Sequence, residues 1–323
     1  MPTNINYIFH MLEVKNLTIE LQDPSASFII LRDVSLSLKT GEILGIAGES
    51  GSGKTILAKT ILNLIKKPVV KTGGSIFLDG KELITEKDFR AIRGTRVSMI
   101  FQNPTASLNP VYTVGNQIVE TIRMHEPKIS KVDALKRAEK LLEEVEIPHP
   151  AERLNSFPHQ LSGGMNQRVM IAMALASNPE LLIADEPTTA LDVTIQEQIV
   201  ELIKKLNREK DLTVIFITHD LSLMSRVADE SFIMYAGEIM ERVTSESLKS
   251  GKVRHPYSIN LQNCVPKLGD DRDYLNTIKG TITFNNKDFD NACVFHPRCE
   301  KATEKCRTEK PPFKDDFSCF YPY

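Results

Sequence analysis

The chain is poor in the features that would place it in a bilayer, on nucleic acid or in a secretory route. No apolar run approaches the ~18 residues that a membrane-spanning helix needs, so membrane association is expected through a partner. Charge of one sign is not in excess. Lys and Arg number 40 against 42 Asp and Glu, a formal net charge of -2, which leaves no electrostatic footprint for nucleic acid. Met1–His10 has neither a basic start nor a small-residue cleavage site, so it does not read as a signal peptide. The first strand pattern begins just after Met11, which makes Met11 a candidate start. Internal repeats and low-complexity tracts are missing as well. Cysteine is scarce except at one end. Cys293, Cys299, Cys306 and Cys319 crowd together and Cys264 stands apart. In a reducing compartment such a cluster argues for a metal or cofactor over disulfides. What is left is an ordinary globular composition in 323 residues, enough for about two domains or one large domain with additions. A cytosolic protein is the expectation.

The most informative stretch is Gly48–Thr55, Gly-Glu-Ser-Gly-Ser-Gly-Lys-Thr, which fits the phosphate-loop pattern without a gap or substitution. The apolar strand-like run Ile43–Ala47 precedes it, and Ile56–Leu62 has helical character. A strand, a glycine loop and a helix start make an anion site, because first-turn N–H groups and the helix dipole both favour negative charge. Gly48, Gly51 and Gly53 let the backbone turn and come close. Glu49, Ser50 and Ser52 complete the loop, Lys54 can reach the β- and γ-phosphates, and the Thr55 hydroxyl can join a Mg²⁺ shell. ATP and Mg²⁺ are the expected ligands.

Around this loop the chain alternates strand and helix patterns. Leu12–Leu21, Phe28–Leu31 and Val34–Leu38 read as strands, the last two separated by a polar pair, and suggest a small antiparallel sheet. Phe28 is either a core strand residue or a platform for adenine. Val97–Gln102 reads as a strand with Gln102 at its C-terminal end, the end that faces the ligand crevice in open α/β sheets. Val114–Glu146 has helical periodicity, giving two or three inserted helices that stop before Pro148 and Pro150. Leu161–Arg168 is a second glycine-bearing loop that runs into a helix, either a second anion site or a plain helix cap.

Leu181–Ala184 is a buried-type strand ending in Asp185 and Glu186. Adjacent carboxylates at such a position are costly unless a cation or a proton-transfer task compensates. With a phosphate loop present, Asp185 is expected to hold Mg²⁺, directly or through water, and Glu186 to polarise the water that attacks the γ-phosphate. Asp192 is placed to cap the helix Val193–Lys210. Thr213–Thr218 is another buried strand, and His219 at its end is expected to meet the γ-phosphate. Ser231–Glu241 reads as a hairpin around Ala236-Gly237. Beyond about Thr244 periodicity fades, and residues 245–323 read as a C-terminal extension.

Taken together, the phosphate loop, Gln102, the Leu161–Gln167 loop, Asp185-Glu186, Asp192 and His219 stand in the order and spacing of an ABC-transporter ATPase domain. Residues 11–244 resemble that domain, with a helical part inserted at about 103–168. The fold implied is α/β: a phosphate-loop NTPase core, RecA-like with a mostly parallel sheet, an N-terminal antiparallel β subdomain, the inserted α-helical subdomain and a small cysteine-bearing extension. The resemblance also implies a head-to-tail dimer in which each ATP lies between the phosphate loop of one subunit and the signature loop of the other. Ser162, Gly163 and Gly164 of that loop, with Asp192, then join the nucleotide-binding set, and Gln102 joins Thr55 and Asp185 around Mg²⁺. Lys54, Glu186 and His219 are the implied catalytic groups.

A narrower resemblance reaches nearly the whole chain. Phe101–Pro104, Ser107–Pro110, His255-Pro256-Tyr257 and Cys293–Cys299 with Cys306 and Cys319 are similar to segments of the dipeptide and oligopeptide importer subfamily. Asn103 stands where that subfamily usually has Asp, Asn166 where Arg is usual, and Glu300 where Pro is common. The resemblance implies an ATP-hydrolysing motor subunit on the cytoplasmic face of the cell membrane. Its partners would be a second ATPase subunit or another copy of itself, two transmembrane permease subunits and, indirectly, an extracellular substrate-binding protein. A nickel importer is the alternative within transport, and a soluble ABC ATPase the alternative outside it. The four cysteines would hold a [4Fe–4S] cluster, with zinc or free thiols as the other readings.

Overall fold

The computed structural model describes residues 10–102, 107–264, 276–282, 289 and 291–323. It divides into two compact units, Met1–Glu86 with Phe216–Tyr323, and Lys87–Ile215.

In the first unit the alternating apolar positions become one face of a strand. His10–Asp23 buries Leu12, Val14, Leu17 and Ile19. It pairs antiparallel with Ala26–Lys39 on one side and Val69–Leu78 on the other, and Lys81–Glu82 completes the sheet. The N-terminal antiparallel subdomain is therefore present. The polar pair Arg32-Asp33 does not end a strand as the pattern suggested. Asn16 and Asp33 take φ of 51° and 52°, and Asn16 Nδ2 donates to Asp33 Oδ1 at 2.7 Å. The irregularity is absorbed as a paired bulge, and Ala26–Lys39 runs through it.

The strand before the phosphate loop, Ile43–Ala47, is wholly buried and runs parallel to Glu230–Tyr235. The latter turns back through Ala236-Gly237 into Glu238–Thr244, as the hairpin reading expected. Both turn residues have positive φ, 45° and 84°, which a two-residue hairpin turn requires. Gly237 has no substitute, since a Cβ there would lie 2.0 Å from Ile30 O. Its N–H donates to Ser52 O at 3.0 Å and its carbonyl accepts from Arg32 N–H at 2.9 Å, which ties the hairpin to the phosphate loop and to the N-terminal sheet.

Residues beyond Thr244 share this unit and its core. Tyr257 and Phe295 are fully buried and pack against Tyr235 with ring centroids 4.8 and 5.1 Å away. Glu241, 1% exposed, accepts the N–H of Arg254 at 2.7 Å and of His255 at 3.0 Å. That anchors the start of the helix Pro256–Asn263 on the hairpin.

In the second unit Val97–Ile100 and Leu181–Asp185 pair in parallel, from Val97↔Leu181 to Ile100↔Ala184. The inserted helices are Val114–His125 and Lys131–Glu144, followed by the short Pro150–Arg153. Thr113 and Ser130 cap the two long ones by accepting from Asn116 N–H and Asp133 N–H. Each buries one apolar stripe, Val114, Ile118 and Ile122 on the first and Ala134, Ala138, Leu141 and Leu142 on the second. Buried Arg168 donates to Val145 O at 2.7 Å, fastening the end of the insertion to the helix Gly163–Leu175. Asn103 and Pro104 lie outside the described residues. Among the described residues no helix is long and apolar enough to cross a membrane.

Candidate nucleotide-binding site

The phosphate loop is built as the sequence reading required. Ile43–Ala47 ends at Gly48, and the helix Lys54–Ile61 begins after Gly53 with no side-chain cap. Gly48 has φ of 153°, and a Cβ on it would lie 2.2 Å from Met234 O, so no larger residue fits this turn. Ser52 is fully buried, and its N–H donates to Glu49 O at 3.1 Å across the loop. Lys54 is 5% exposed. Its ammonium donates to Gly48 O at 2.7 Å, Glu49 O at 2.9 Å and Ser52 Oγ at 3.3 Å. The ammonium is thus seated inside the loop, where it can exchange a loop oxygen for a phosphate oxygen. Ser50 and Gly51 are exposed at the loop's crest, and Thr55 is half-buried in the first helical turn. Phe28, the adenine candidate, is half-buried on the strand Ala26–Lys39 opposite Leu21.

Glu49 carries contacts that no local pattern revealed. Its N–H donates to Tyr257 Oη at 2.9 Å. Its carboxylate takes both arms of Arg298, Nη1 to Oε2 at 2.6 Å and Nη2 to Oε1 at 3.0 Å. His255-Pro256-Tyr257 and the Pro297-Arg298-Cys299 step were quoted above only as marks of resemblance. Nothing in their spacing says that they reach back to the loop.

The second unit brings the other predicted groups together. Asp185, 2% exposed, ends the buried strand. Glu186 follows with φ of 48°, a left-handed backbone that a side-chain-bearing residue adopts only when its surroundings enforce it. Its Oε2 accepts from Gln102 Nε2 at 2.9 Å and from Thr189 Oγ1 at 2.8 Å. Gln102, at the end of its strand, is therefore joined to Glu186. Asp192 caps Val193–Lys210, accepting from Ile195 N–H at 3.0 Å. Ser162 caps Gly163–Leu175, accepting from Met165 N–H at 3.2 Å, and it and Gly163 are exposed. Gly164 is buried, and a Cβ there would lie 2.7 Å from Ile195 Cγ2. Its glycine serves helix contact, which the sequence reading did not foresee. Asn166 donates to Pro158 O at 3.0 Å. In the first unit His219 is exposed just beyond Thr213–Thr218, and the following Asp220 caps the next helix.

Cys293, Cys299, Cys306 and Cys319 line one cavity together with His255 and His296. Burial pushes the Cys293 thiol up to about 12 and raises Cys299 and Cys319 as well. Among the described residues no three His, Cys, Asp or Glu side chains are arranged to hold a metal ion.

Comparison with known proteins places this geometry. Residues 31–189 match the ABC transporter family model, and residues 240–306 match the oligopeptide/dipeptide transporter C-terminal region. The dipeptide transport ATP-binding protein DppD of Escherichia coli (strain K12) is 45% identical over 303 residues, 93% of this chain and 92% of that protein. The oligopeptide transport ATP-binding protein OppD of Bacillus subtilis (strain 168) is 49% identical over 278 residues, 85% of this chain and 77% of that protein. The chain belongs to the ABC transporter ATP-binding family. Solved ABC cassettes agree. A dimeric ATP-binding cassette in a post-hydrolysis state with ADP and phosphate is similar at a TM-score of 0.64 and 32% identity, over 73% of this chain and 99% of that one. A component of an ABC transporter complex from Clostridium perfringens gives a TM-score of 0.65 at 26% identity, over 76% of this chain and 92% of that one. The phosphate loop, the Asp185-Glu186 pair and the Leu161–Arg168 loop all lie within the residues that match the ABC transporter model.

Proposed function

We propose that this ABC ATPase drives import of dipeptides or oligopeptides as a peripheral subunit on the cytoplasmic face of a membrane. The observation that carries the substrate class is the match of residues 240–306 to the oligopeptide/dipeptide transporter C-terminal region, supported by the peptide-transport names of the relatives. Its partners in this reading are two transmembrane permease subunits, an extracellular binding protein and a second ATPase subunit or copy of itself. Residues 11–244 form the ATPase domain, and residues 245–323 a C-terminal extension that is fastened to it.

The residue roles follow from chemistry. Gly48–Thr55 cradles the triphosphate, with Lys54 moving its charge onto the β- and γ-phosphates. Mg²⁺ supplies charge neutralisation when bound, and the donor set suits it, since the Thr55 hydroxyl, the Gln102 amide oxygen and the Asp185 carboxylate are all hard oxygens. Glu186 accepts a proton from water as the water oxygen bonds to the γ-phosphorus. The bond from that phosphorus to the bridging oxygen breaks, and ADP leaves with its electron pair. His219 steadies the γ-phosphate. Ser162, Gly163 and Gly164, with Asp192, contact the nucleotide of the partner subunit. Reconstituted with its permease and binding-protein partners, the wild-type chain is expected to hydrolyse ATP faster when di- or oligopeptide is added. Stimulation by Ni²⁺ and not by peptide would replace the peptide reading with nickel import.

The four C-terminal cysteines are assigned a [4Fe–4S] cluster. All four line one cavity, and a polynuclear cluster takes thiolates at separate corners where a single ion needs them to converge. A cationic cluster would also offset the cost of deprotonating buried thiols. Anaerobically purified protein is expected to contain iron and acid-labile sulfide and to show visible absorption that dithionite bleaches. Colourless protein with stoichiometric zinc, or with no metal, would overturn the assignment.

A further inference from the structure

A carboxylate inside a phosphate-binding loop is an electrostatic contradiction. Glu49 directly follows Gly48, and its own carbonyl is a seat for the Lys54 ammonium, yet its side chain carries the same sign of charge as the ligand. The structure resolves the contradiction from the far end of the chain. Arg298 grips Glu49 with a two-armed fork and is itself held, Nε to Lys279 O at 2.8 Å and Nη2 to Ile278 O at 3.0 Å. Its side chain is 5% exposed, and its guanidinium lies 5.5 Å from the centre of the Tyr235 ring. Tyr257, fully buried, holds the Glu49 N–H. The guanidinium is thus oriented by the protein's own groups.

We propose that Arg298 is a positioning residue for ATP, acting through Glu49. It cancels the loop's one carboxylate and, with Tyr257, fixes the Gly48–Glu49 backbone whose carbonyls seat Lys54. The C-terminal segment therefore sets the affinity of the phosphate loop for the triphosphate. This rests on the ATPase reading of the loop.

The test uses the full-length chain and measures equilibrium binding of Mg-ATP, with steady-state hydrolysis and thermal melting alongside. Arg298→Met leaves the Glu49 charge uncompensated in the loop, and its Kd and KM for ATP are expected to rise about tenfold with kcat less affected. Adding Glu49→Gln to that variant removes the exposed charge and should bring the Kd back to within about threefold of wild type. A merely structural Arg298 would lower the melting temperature and leave the Kd of the folded protein unchanged. Arg298→Lys, a point charge without the fork, should fall between wild type and Arg298→Met. The inference fails if Arg298→Met binds Mg-ATP like wild type, or if the double variant binds as weakly as the single one. A wild-type chain that bound no nucleotide would instead remove the ATPase reading, and this inference with it.

Discussion

At the scale of single residues, the proposed base is Glu186. Its backbone is held in the left-handed region and its carboxylate oxygen accepts two hydrogen bonds, from Gln102 and Thr189. Gln in its place offers an oxygen to the same two donors but cannot take a proton. Glu186→Gln is therefore expected to keep ATP affinity within a few-fold while phosphate release falls by roughly 10²–10⁴. A variant with wild-type phosphate release would show that Glu186 is not the base. Residues of this kind were legible in the sequence because each sits at a fixed offset from a glycine or at the end of an apolar run. Lys54, Asp185, Glu186 and the cap Asp192 all stand where those offsets put them. Glu49 was legible only as a loop member. Its counter-ion is 249 residues away, and no local periodicity encodes that distance.

At the scale of elements, the strands flanking the loop and the inserted helices were legible from alternation and 3.6-residue spacing, and the cap Asp192 from its place ahead of its helix, whereas the caps Thr113 and Ser130 were not singled out. The break expected at Arg32-Asp33 was not a break, because polar residues at a bulge look like a turn until the partner strand is known. The start of Pro256–Asn263 was also hidden. It depends on Glu241 of the preceding hairpin accepting two N–H groups from Arg254 and His255. Burial raises the Glu241 carboxyl above its usual range, which records the cost of placing it there. Glu241→Ala would leave two donors unpaired in the interior and is expected to lower stability by about 1–3 kcal/mol, read as a lower midpoint in denaturant. An unchanged midpoint would mean that the helix is held without this cap.

At the scale of the whole molecule, the Glu186→Gln variant also tests the proposed closure of two ATPase subunits on ATP. With hydrolysis blocked, Mg-ATP should drive the variant into a species of twice the mass, with itself or with a sister ATPase subunit, by light scattering. A variant that stays monomeric with both would count against closure of two subunits on ATP. Composition marks residues 245–323 as an extension, whereas contacts join them to residues 1–86 in one compact unit. Aromatic packing among Tyr235, Tyr257 and Phe295 makes that join, and sequence shows the three rings without showing that they meet.

The Glu49–Arg298 pair has a consequence during synthesis. A ribosome that has just added Glu49 must add 249 more residues before its counter-ion exists. At typical elongation rates that is roughly ten to fifty seconds. Through that interval the nascent chain carries a finished phosphate-loop sequence with its carboxylate unneutralised. On the proposed role of Arg298, the loop of a growing polypeptide is a poor ligand trap, and full affinity for ATP waits until residue 298 has been added.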